Sequence, residues 1–114
     1  MISFACQVFK FSDLIRCSFE LTKGEYSLLM SMLESSKQLT VQEFSKLAKI
    51  DRSTAQKALA GLLKKGLVLR RQVNQSQGGY VYLYWPVRKN EIKKQISSII
   101  KKWYKHVKEE INTW

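Results

Sequence analysis

Apolar side chains first recur at helical spacing just after residue 22. They follow the steps i, i+3, i+4 and i+7 that mark the buried face of an amphipathic helix. The members of this stripe are Tyr26, Leu29, Met30 and Leu33. A capping box precedes the stripe, because the hydroxyl of Thr22 can accept from the amide of Glu25 while the Glu25 carboxylate reaches back. The sequence therefore predicts a helix that begins here and ends at the polar stretch 35–38.

Two more helix starts follow closely. Thr40 and Glu43 repeat the capping box. The apolar face behind them consists of Val41, Phe44, Leu47 and Ala48. Asp51 is a good N-cap for a third helix, which Gly66 would end at the usual C-terminal position. The inward stripe of this third helix is Ala55, Ala58, Leu59 and Leu62.

The second half of the chain changes to strand patterns and then to one long helix. Residues 67–74 are rich in β-branched and aliphatic side chains, and residues 80–85 alternate aromatic with aliphatic ones. The polar loop 75–79 between them contains two adjacent glycines, so the pair is predicted to form a hairpin. After Pro86 a single helical pattern runs over residues 87–114. Its apolar stripe, with steps of three or four residues, is Ile92, Ile96, Ile99, Trp103, Val107, Ile111 and Trp114.

The opening residues fit a helical face and a strand alternation equally well. We expect a short extended piece up to about Lys10, and then a short helix from the cap Ser12 through Phe19. The predicted fold is mainly α with a small β-hairpin. Residues 1–86 would comprise an N-terminal extension, three helices and the hairpin, and residues 87–114 would add a long helix to the same structural unit. The boundaries within the first part are 1–21, 22–66 and 67–86.

The short turn at 49–51 joins the second and third helices. Such a connection sets two helices at a steep angle, so that the second presents its outer face as in a helix-turn-helix unit. Base edges in a DNA major groove require side chains that donate and accept hydrogen bonds, or the planar fork that Arg offers to guanine. We therefore predict a recognition helix, although a merely solvated face has the same polarity. The side chains left outside are Arg52, Ser53, Thr54, Gln56, Lys57 and Lys64.

The hairpin has the features of a wing that reaches DNA beside such a helix. Its first strand carries Arg70 and Arg71. Its loop contains Gln75, Gln77 and Gly78, and no acid. We predict that these residues contact the DNA backbone or the adjacent groove, and an ordinary surface hairpin is the alternative.

Charge separates the two halves of the chain. The 114 residues carry 20 Lys and Arg against 9 Asp and Glu, a net charge of +11. Residues 1–50 hold six basic and five acidic side chains, whereas residues 51–114 hold fourteen and four. Such an excess fits a polyanionic partner, either nucleic acid, an anionic membrane surface or an acidic protein. The 45% hydrophobic content excludes a disordered basic tail.

The sequence contains no pattern typical of catalysis, and we expect neither an enzyme nor a cofactor. Cys6 and Cys17 are eleven positions apart without a Cys-x-x-Cys motif, so no four-ligand zinc site and no other metal site is predicted. We expect two thiols that are at least partly buried. His106, the only histidine, has no partner for acid–base or nucleophilic work. No export signal or spanning segment is readable, so we expect a cytoplasmic, nucleoid-associated protein.

Residues 51–71 resemble the recognition helix and first wing strand of winged helix-turn-helix regulators of the MarR-like and archaeal TrmB-like groups. The motifs Arg-Cys-Ser-Phe-Glu-Leu at 16–21 and Gly-Tyr-Val-Tyr-Leu-Tyr at 79–84 are similar to TrmB-like domains as well. The resemblance covers roughly residues 12–111. It implies a dimeric DNA-binding transcription regulator, with residues 52–57 at the groove and 70–79 in the wing. The chain departs from TrmB proper in ending before a large sugar-binding domain could follow.

The residues and the resemblance together favour a homodimer that binds duplex DNA sequence-specifically and represses by occlusion. No small-molecule effector domain is evident. The long helix would form the dimer through its seven-residue apolar stripe, which packing within the same chain could also cover. Two rivals stay open: a winged helix that serves as a protein-interaction module of a transcription or chromatin complex, and an RNA-binding winged helix. Association with an anionic membrane is the least favoured.

Overall fold

The computed structural model describes residues 1–114 and contains five helices and two antiparallel hairpins. Helices α2, α3 and α4 pack together with the β3–β4 hairpin, and α5 follows as a long C-terminal helix. This arrangement confirms the predicted winged helix-turn-helix fold. In chain order the elements are β1 (Ile2–Phe4), β2 (Gln7–Phe9), α1 (Phe11–Phe19), α2 (Lys23–Ser35), α3 (Val41–Ala48), α4 (Arg52–Lys64), β3 (Val68–Asn74), β4 (Tyr80–Pro86) and α5 (Lys89–Thr113).

The helix starts are confirmed by the hydrogen bonds of both capping boxes. The Glu25 amide donates to Thr22 Oγ1 at 3.1 Å, and the Thr22 amide donates to Glu25 Oε1 at 2.8 Å. At α3 the corresponding bonds between Thr40 and Glu43 are 3.2 and 3.0 Å long. Each box satisfies amides that the first helical turn leaves without a partner. Gly66 follows α4 with a φ of 76°, as predicted for the residue that ends it.

The wing hairpin is paired along its whole length. Its register runs from Val68 opposite Pro86 to Asn74 opposite Tyr80. Leu39, just before α3, adds a third short pairing, because it exchanges backbone hydrogen bonds of 3.1 and 2.8 Å with Tyr84. The base of the wing is thereby fixed to the start of the helix-turn-helix unit.

The core lies where α2, α3 and α4 meet the base of the wing. On α4 the four predicted inward residues are all buried. On α2 the prediction was partly wrong, because the helix buries Leu28, Leu29 and Met32, while the other members of the predicted stripe are only half-buried. On α3, Leu47 is exposed rather than buried. The fully buried side chains are Leu28, Leu29, Met32, Phe44, Leu59, Leu62, Leu67 and Val68.

The N-terminal extension forms a hairpin instead of a single extended piece. Strands β1 and β2 pair from Ile2 opposite Phe9 to Phe4 opposite Gln7. The following helix begins at Phe11 after Lys10, which makes no side-chain cap, so Ser12 is not the cap that the sequence suggested. Both cysteines are exposed free thiols, which contradicts the expected burial.

Helix α5 belongs to the core at one end and projects from it at the other. Ile92 and Ile96 are 5% and 7% exposed and pack within their own chain. From Ile100 to Trp114 every residue is exposed, and the molecule measures 65 × 23 × 22 Å. None of the helices combines the length and the apolar character that crossing a membrane requires.

An ion pair between a half-buried lysine and a buried glutamate ties the start of α2 to the end of α4. Lys65 Nζ lies 2.7 Å from Glu25 Oε1 and also donates to the Glu20 carbonyl at 2.7 Å. The Glu25 residue is 7% exposed and lies directly against Gly61 of α4. Burial by itself raises the pKa of Glu25, but the hydrogen bonds from Lys65 and from the Thr22 amide outweigh it, so the net shift is downward from 4.5.

This lowered pKa predicts an acid-sensitive contribution to stability. Because the folded-state pKa of Glu25 lies below its unfolded value, the ionised carboxylate stabilises the fold above about pH 4.5, and this contribution disappears as the pH falls through the folded-state pKa. We expect the melting temperature of Glu25→Gln to depend less on pH between pH 3 and 6 than that of the parent chain, as measured by circular dichroism. Glu34→Gln, at an exposed position of the same helix, is the matched control. Parallel profiles for Glu25→Gln and the parent would contradict the assignment.

Candidate nucleic-acid interface

The turn between α3 and α4 positions the second helix of the helix-turn-helix unit. Lys49 ends α3 in the left-handed conformation, with a φ of 57°. The Ile50 amide closes the turn by donating to the Ser45 carbonyl at 3.0 Å. Asp51 then caps α4 by accepting from the Thr54 amide at 3.3 Å. The hydrogen bonds on both sides of this short turn hold α4 in its orientation relative to α3.

The outer face of α4 presents the predicted reading residues to solvent. All six are exposed: Ser53, Gln56, Lys57 and Lys64 lie on the side away from the buried alanines and leucines, and Arg52 and Thr54 lie at the two edges of the buried face. Ala60, which was not among the predicted residues, is also exposed and lies one turn from both Gln56 and Lys64. A small residue at this point lets the helix approach a groove floor closely, and its methyl group suits contact with a thymine methyl. The 3.6-residue period of α4 could have identified Ala60 as outward-facing.

Two of the predicted reading hydroxyls are already engaged at the helix start. Ser53 Oγ donates to Asp51 Oδ2 at 2.6 Å, and Thr54 Oγ1 donates to Asp51 Oδ1. These hydroxyl bonds, Ser53 first and then Thr54, lower the pKa of Asp51 to about 2. The carboxylate therefore stays ionised at neutral pH, and both hydroxyls keep only their acceptor lone pairs for a further partner.

The two arginines of the wing lie on opposite faces of the hairpin, because side chains alternate along a strand. Arg70 shares a face with Tyr82, and its guanidinium carbon lies 4.1 Å from the centre of the Tyr82 ring. Arg71 points to the other face, where its Nε donates to Gln38 Oε1 at 3.2 Å. Both arginines are exposed, but they cannot contact one DNA surface from the same face of the wing.

The wing tip is a closed and exposed turn. The Gln75 amide donates to the Gly79 carbonyl at 3.0 Å, and the Gly78 amide donates to the Gln75 carbonyl at 3.2 Å. Gly78 and Gly79 have φ values of 89° and 77°, which only glycine adopts without strain. Tyr80, at 55% exposure, stands beside this turn with its ring 5.4 Å from Tyr82, and it too was missed from the sequence.

The structure brings only part of the positive charge to this surface. Of the six basic side chains in residues 51–86, Lys65 is engaged by Glu25 and the two wing arginines contact their own chain. The basic side chains that α4 leaves uncommitted are Arg52, Lys57 and Lys64. The eight basic residues of segment 87–114 lie on another element, α5 and the residue before it.

The structure contains no group of three or more His, Cys, Asp or Glu side chains that could hold a metal ion.

The seven apolar residues predicted for the dimer fall into two groups. Ile92 and Ile96 are buried in their own core, and Ile99 is half-buried. The residues of the stripe that remain exposed are Trp103, Val107, Ile111 and Trp114.

The chain is similar in sequence and fold to proteins described as transcriptional regulators. A family model described as the sugar-specific transcriptional regulator TrmB matches residues 15–90. An uncharacterised protein of Methanocaldococcus jannaschii is 30% identical over 103 residues, which cover 90% of this chain and 77% of that protein. A possible transcriptional regulator from Methanosarcina mazei Go1 matches with a TM-score of 0.92 and 36% identity, over 100% of this chain and 96% of the other. A MarR protein from Peptoclostridium difficile shares the fold, with a TM-score of 0.55 and 20% identity over 91% and 65% of the two chains.

Proposed function

Because the chain belongs to the TrmB family of transcriptional regulators, we propose that it binds duplex DNA sequence-specifically as a homodimer and represses transcription by occlusion. The observation that carries this proposal is the outer face of α4, where donors and acceptors stand exposed on a rigidly capped helix. Occlusion requires only that the regulator occupies its site. Since the partner would be genomic DNA, the same proposal places the protein in the cytoplasm, on the nucleoid.

In this proposal α4 lies in the major groove. Arg52 would donate to guanine O6 and N7, and Gln56 would pair with adenine N6 and N7, because these are the bidentate contacts that their side chains make with base edges. Lys57 lies one position further along the same face, and Lys64 at the end of α4 would contact phosphate. Ser53 and Thr54 would act as acceptors, since their protons are committed to Asp51.

The wing would contact DNA mainly through its tip. Gln75, Gln77 and the backbone amide of Gly78 are exposed at the loop, where polar donors can reach phosphates or an adjacent groove. Arg71, bound only to an exposed glutamine side chain, can exchange that bond for a phosphate. Arg70 would hold its position by stacking on Tyr82 and contribute positive potential.

A homodimer would present two such surfaces to half-sites about 34 Å apart, one helical turn of DNA. This spacing requires the two α4 helices to be held in fixed relation. Helix α5 is the element suited to do so, because its first turns are part of the core that carries α4 and its distal half is free to meet a partner.

The proposal is tested by competition between nucleic acids. A selection from a random duplex pool would yield a preferred sequence, whose binding is then challenged with nonspecific duplex and with structured RNA. We expect the selected duplex to outcompete both at near-physiological salt. The logarithm of affinity should fall with the logarithm of salt with a slope that corresponds to roughly 6 to 10 phosphate contacts per dimer, because about half of the net charge lies on α5. No enrichment of any duplex, or preferred binding of RNA, would refute the proposal.

A further inference from the structure

The distal half of α5 exposes a row of large apolar side chains, and such a patch marks an interaction surface. Within the chain, Trp103 is 54% exposed and its only aromatic contact is with Phe4 of β1, at 6.2 Å between ring centres. If each of the large side chains here offers on the order of 100 Å², the six on α5 and their neighbours in the β1–β2 hairpin approach the ~800 Å² per partner of a standard interface. The six are Ile100, Trp103, Tyr104, Val107, Ile111 and Trp114.

The apolar stripe of α5 is nearly symmetric about Trp103. Ile99 and Val107 lie four residues on either side of it, and Ile92 and Trp114 lie eleven residues on either side. A two-fold axis that crosses α5 at Trp103 makes the two helices antiparallel, and it would place Val107 of one copy opposite Ile99 of the other and Trp114 opposite Ile92. A self-complementary surface of this kind is what an isologous dimer requires.

Charge also favours the antiparallel direction. The start of α5 carries Lys93 and Lys94, whereas Glu109 and Glu110 lie near its end. Parallel helices would place the lysines beside lysines and the glutamates beside glutamates. Antiparallel helices would bring Glu110 of one copy within about one turn of Lys93 of the other, so that unlike charges meet.

A groove lies where the end of the second helix would arrive. It has a volume of about 770 Å³ and lies between α1, α2, the base of the wing and the first turns of α5. Most of its lining is apolar, and its charged lining residues are three basic ones and one acidic one, Arg88, Lys89, Lys93 and Glu34. The half-buried face of α2 that was predicted to be core in fact lines this groove. Representative floor residues are Ile15, Tyr26, Leu33, Trp85, Val87 and Ile92.

We propose that a second copy of this chain covers the exposed face of α5 in an antiparallel arrangement, with Trp103 on the two-fold axis. Ile111 and Trp114 of each copy then enter the groove at the start of α5 of the other copy, and Glu110 approaches its basic margin. This inference rests on the homodimer of the proposed function and specifies its geometry. The base of the wing would then contact the second copy directly.

The arrangement is tested by disulfide crosslinking of the full chain. With Cys6 and Cys17 replaced by serine, single cysteines are introduced at chosen α5 positions and oxidised without DNA. A disulfide needs Cα atoms within roughly 4.4–6.8 Å, so Trp103→Cys should crosslink to itself. Val107→Cys should not, because its two copies would lie about 12 Å apart along the axis. A mixture of Ile99→Cys with Val107→Cys should form the mixed dimer, and Lys105→Cys, on the opposite face, is the control.

Charge exchange gives a second readout. Glu110→Lys and Lys93→Glu should each weaken the dimer severalfold in sedimentation, and the combined variant should recover most of the loss. Self-crosslinking of Val107→Cys would exclude an antiparallel pair with its axis at Trp103, and a monomer at all concentrations would exclude the homodimer. Either result overturns the proposal. The expected crosslinks in a chain that binds no duplex DNA would support this geometry while refuting the proposed function.

Discussion

Replacing Gly61 by alanine is expected to destabilise the fold, although alanine is the better helix former. In an ordinary helix the change would stabilise by roughly 0.5–1 kcal/mol. Here the added Cβ would overlap Glu25 Oε2 and lie 2.9 Å from Glu25 Cδ. The carboxylate would have to leave the site in which it accepts from Lys65 and Thr22. Losing hydrogen bonds to a charged group should outweigh the gain, for a net loss of about 2 kcal/mol.

The measurement is chemical or thermal unfolding at one fixed protein concentration, since a dimer makes stability depend on concentration. A double-mutant cycle separates the causes. In a Glu25→Ala background the same glycine replacement meets no carboxylate and should be neutral or slightly stabilising. Gly24→Ala, at a helical glycine whose Cβ would meet no atom within 4 Å, is the matched control in the parent chain. If Gly61→Ala and Gly24→Ala were equally stable in the parent chain, the packing described for α2 against α4 would be contradicted.

Removing the two basic reading residues should abolish most specific DNA binding. We expect Arg52→Ala with Lys57→Ala to weaken binding to the selected duplex by at least a hundredfold, because each lost base contact costs about 1–3 kcal/mol and a dimer loses it twice. Arg52→Ala alone should also relax the sequence preference at one base position of each half-site. Binding titrations at near-physiological salt measure both effects.

The matched control removes the same charge from another element. Lys102→Ala with Lys105→Ala deletes two exposed lysines from α5 and should change affinity only modestly. All four residues are exposed, so neither pair should disturb the fold, which circular dichroism verifies. Equal losses in the two double variants would mean that binding depends on overall charge, and the assignment of α4 as the reading helix would fail.

The elements predicted best are those whose signals are local. The threonines and glutamates of the two capping boxes are three residues apart, and the side-chain bonds that they form identify the helix starts without knowledge of the rest of the chain. The inward face of α4 was predicted as well, because its small and apolar residues recur at steps of three and four, with polar residues between them. The exposed position of the candidate reading residues follows from that same period.

The errors concern features that depend on distant partners. On α2 apolar residues occupy more than one face, so the sequence could not decide whether Leu28 or Met30 meets the core. The ion pair between Glu25 and Lys65 joins residues forty positions apart. Ile92 and Ile96 have the same pattern as the exposed end of the stripe, and only the tertiary packing assigns them to the core. Opposed orientations of Arg70 and Arg71 follow from strand alternation and could have been derived.

Because α5 is one continuous helix, its orientation would set the distance between the two reading helices of the proposed dimer. A helix of 25 residues is about 37 Å long, and Ile92 and Ile96 in its first turns belong to the same core as α4. A tilt of about 5° at Ile96 would therefore displace the far end of the helix, about 27 Å away, by about 2 Å. In an antiparallel pair the gap between the two reading helices would change by a similar amount. A molecule that displaced Ile111 and Trp114 of the second copy from the groove beside the wing would thus change the distance between the two reading helices, and with it the half-site spacing that the dimer matches.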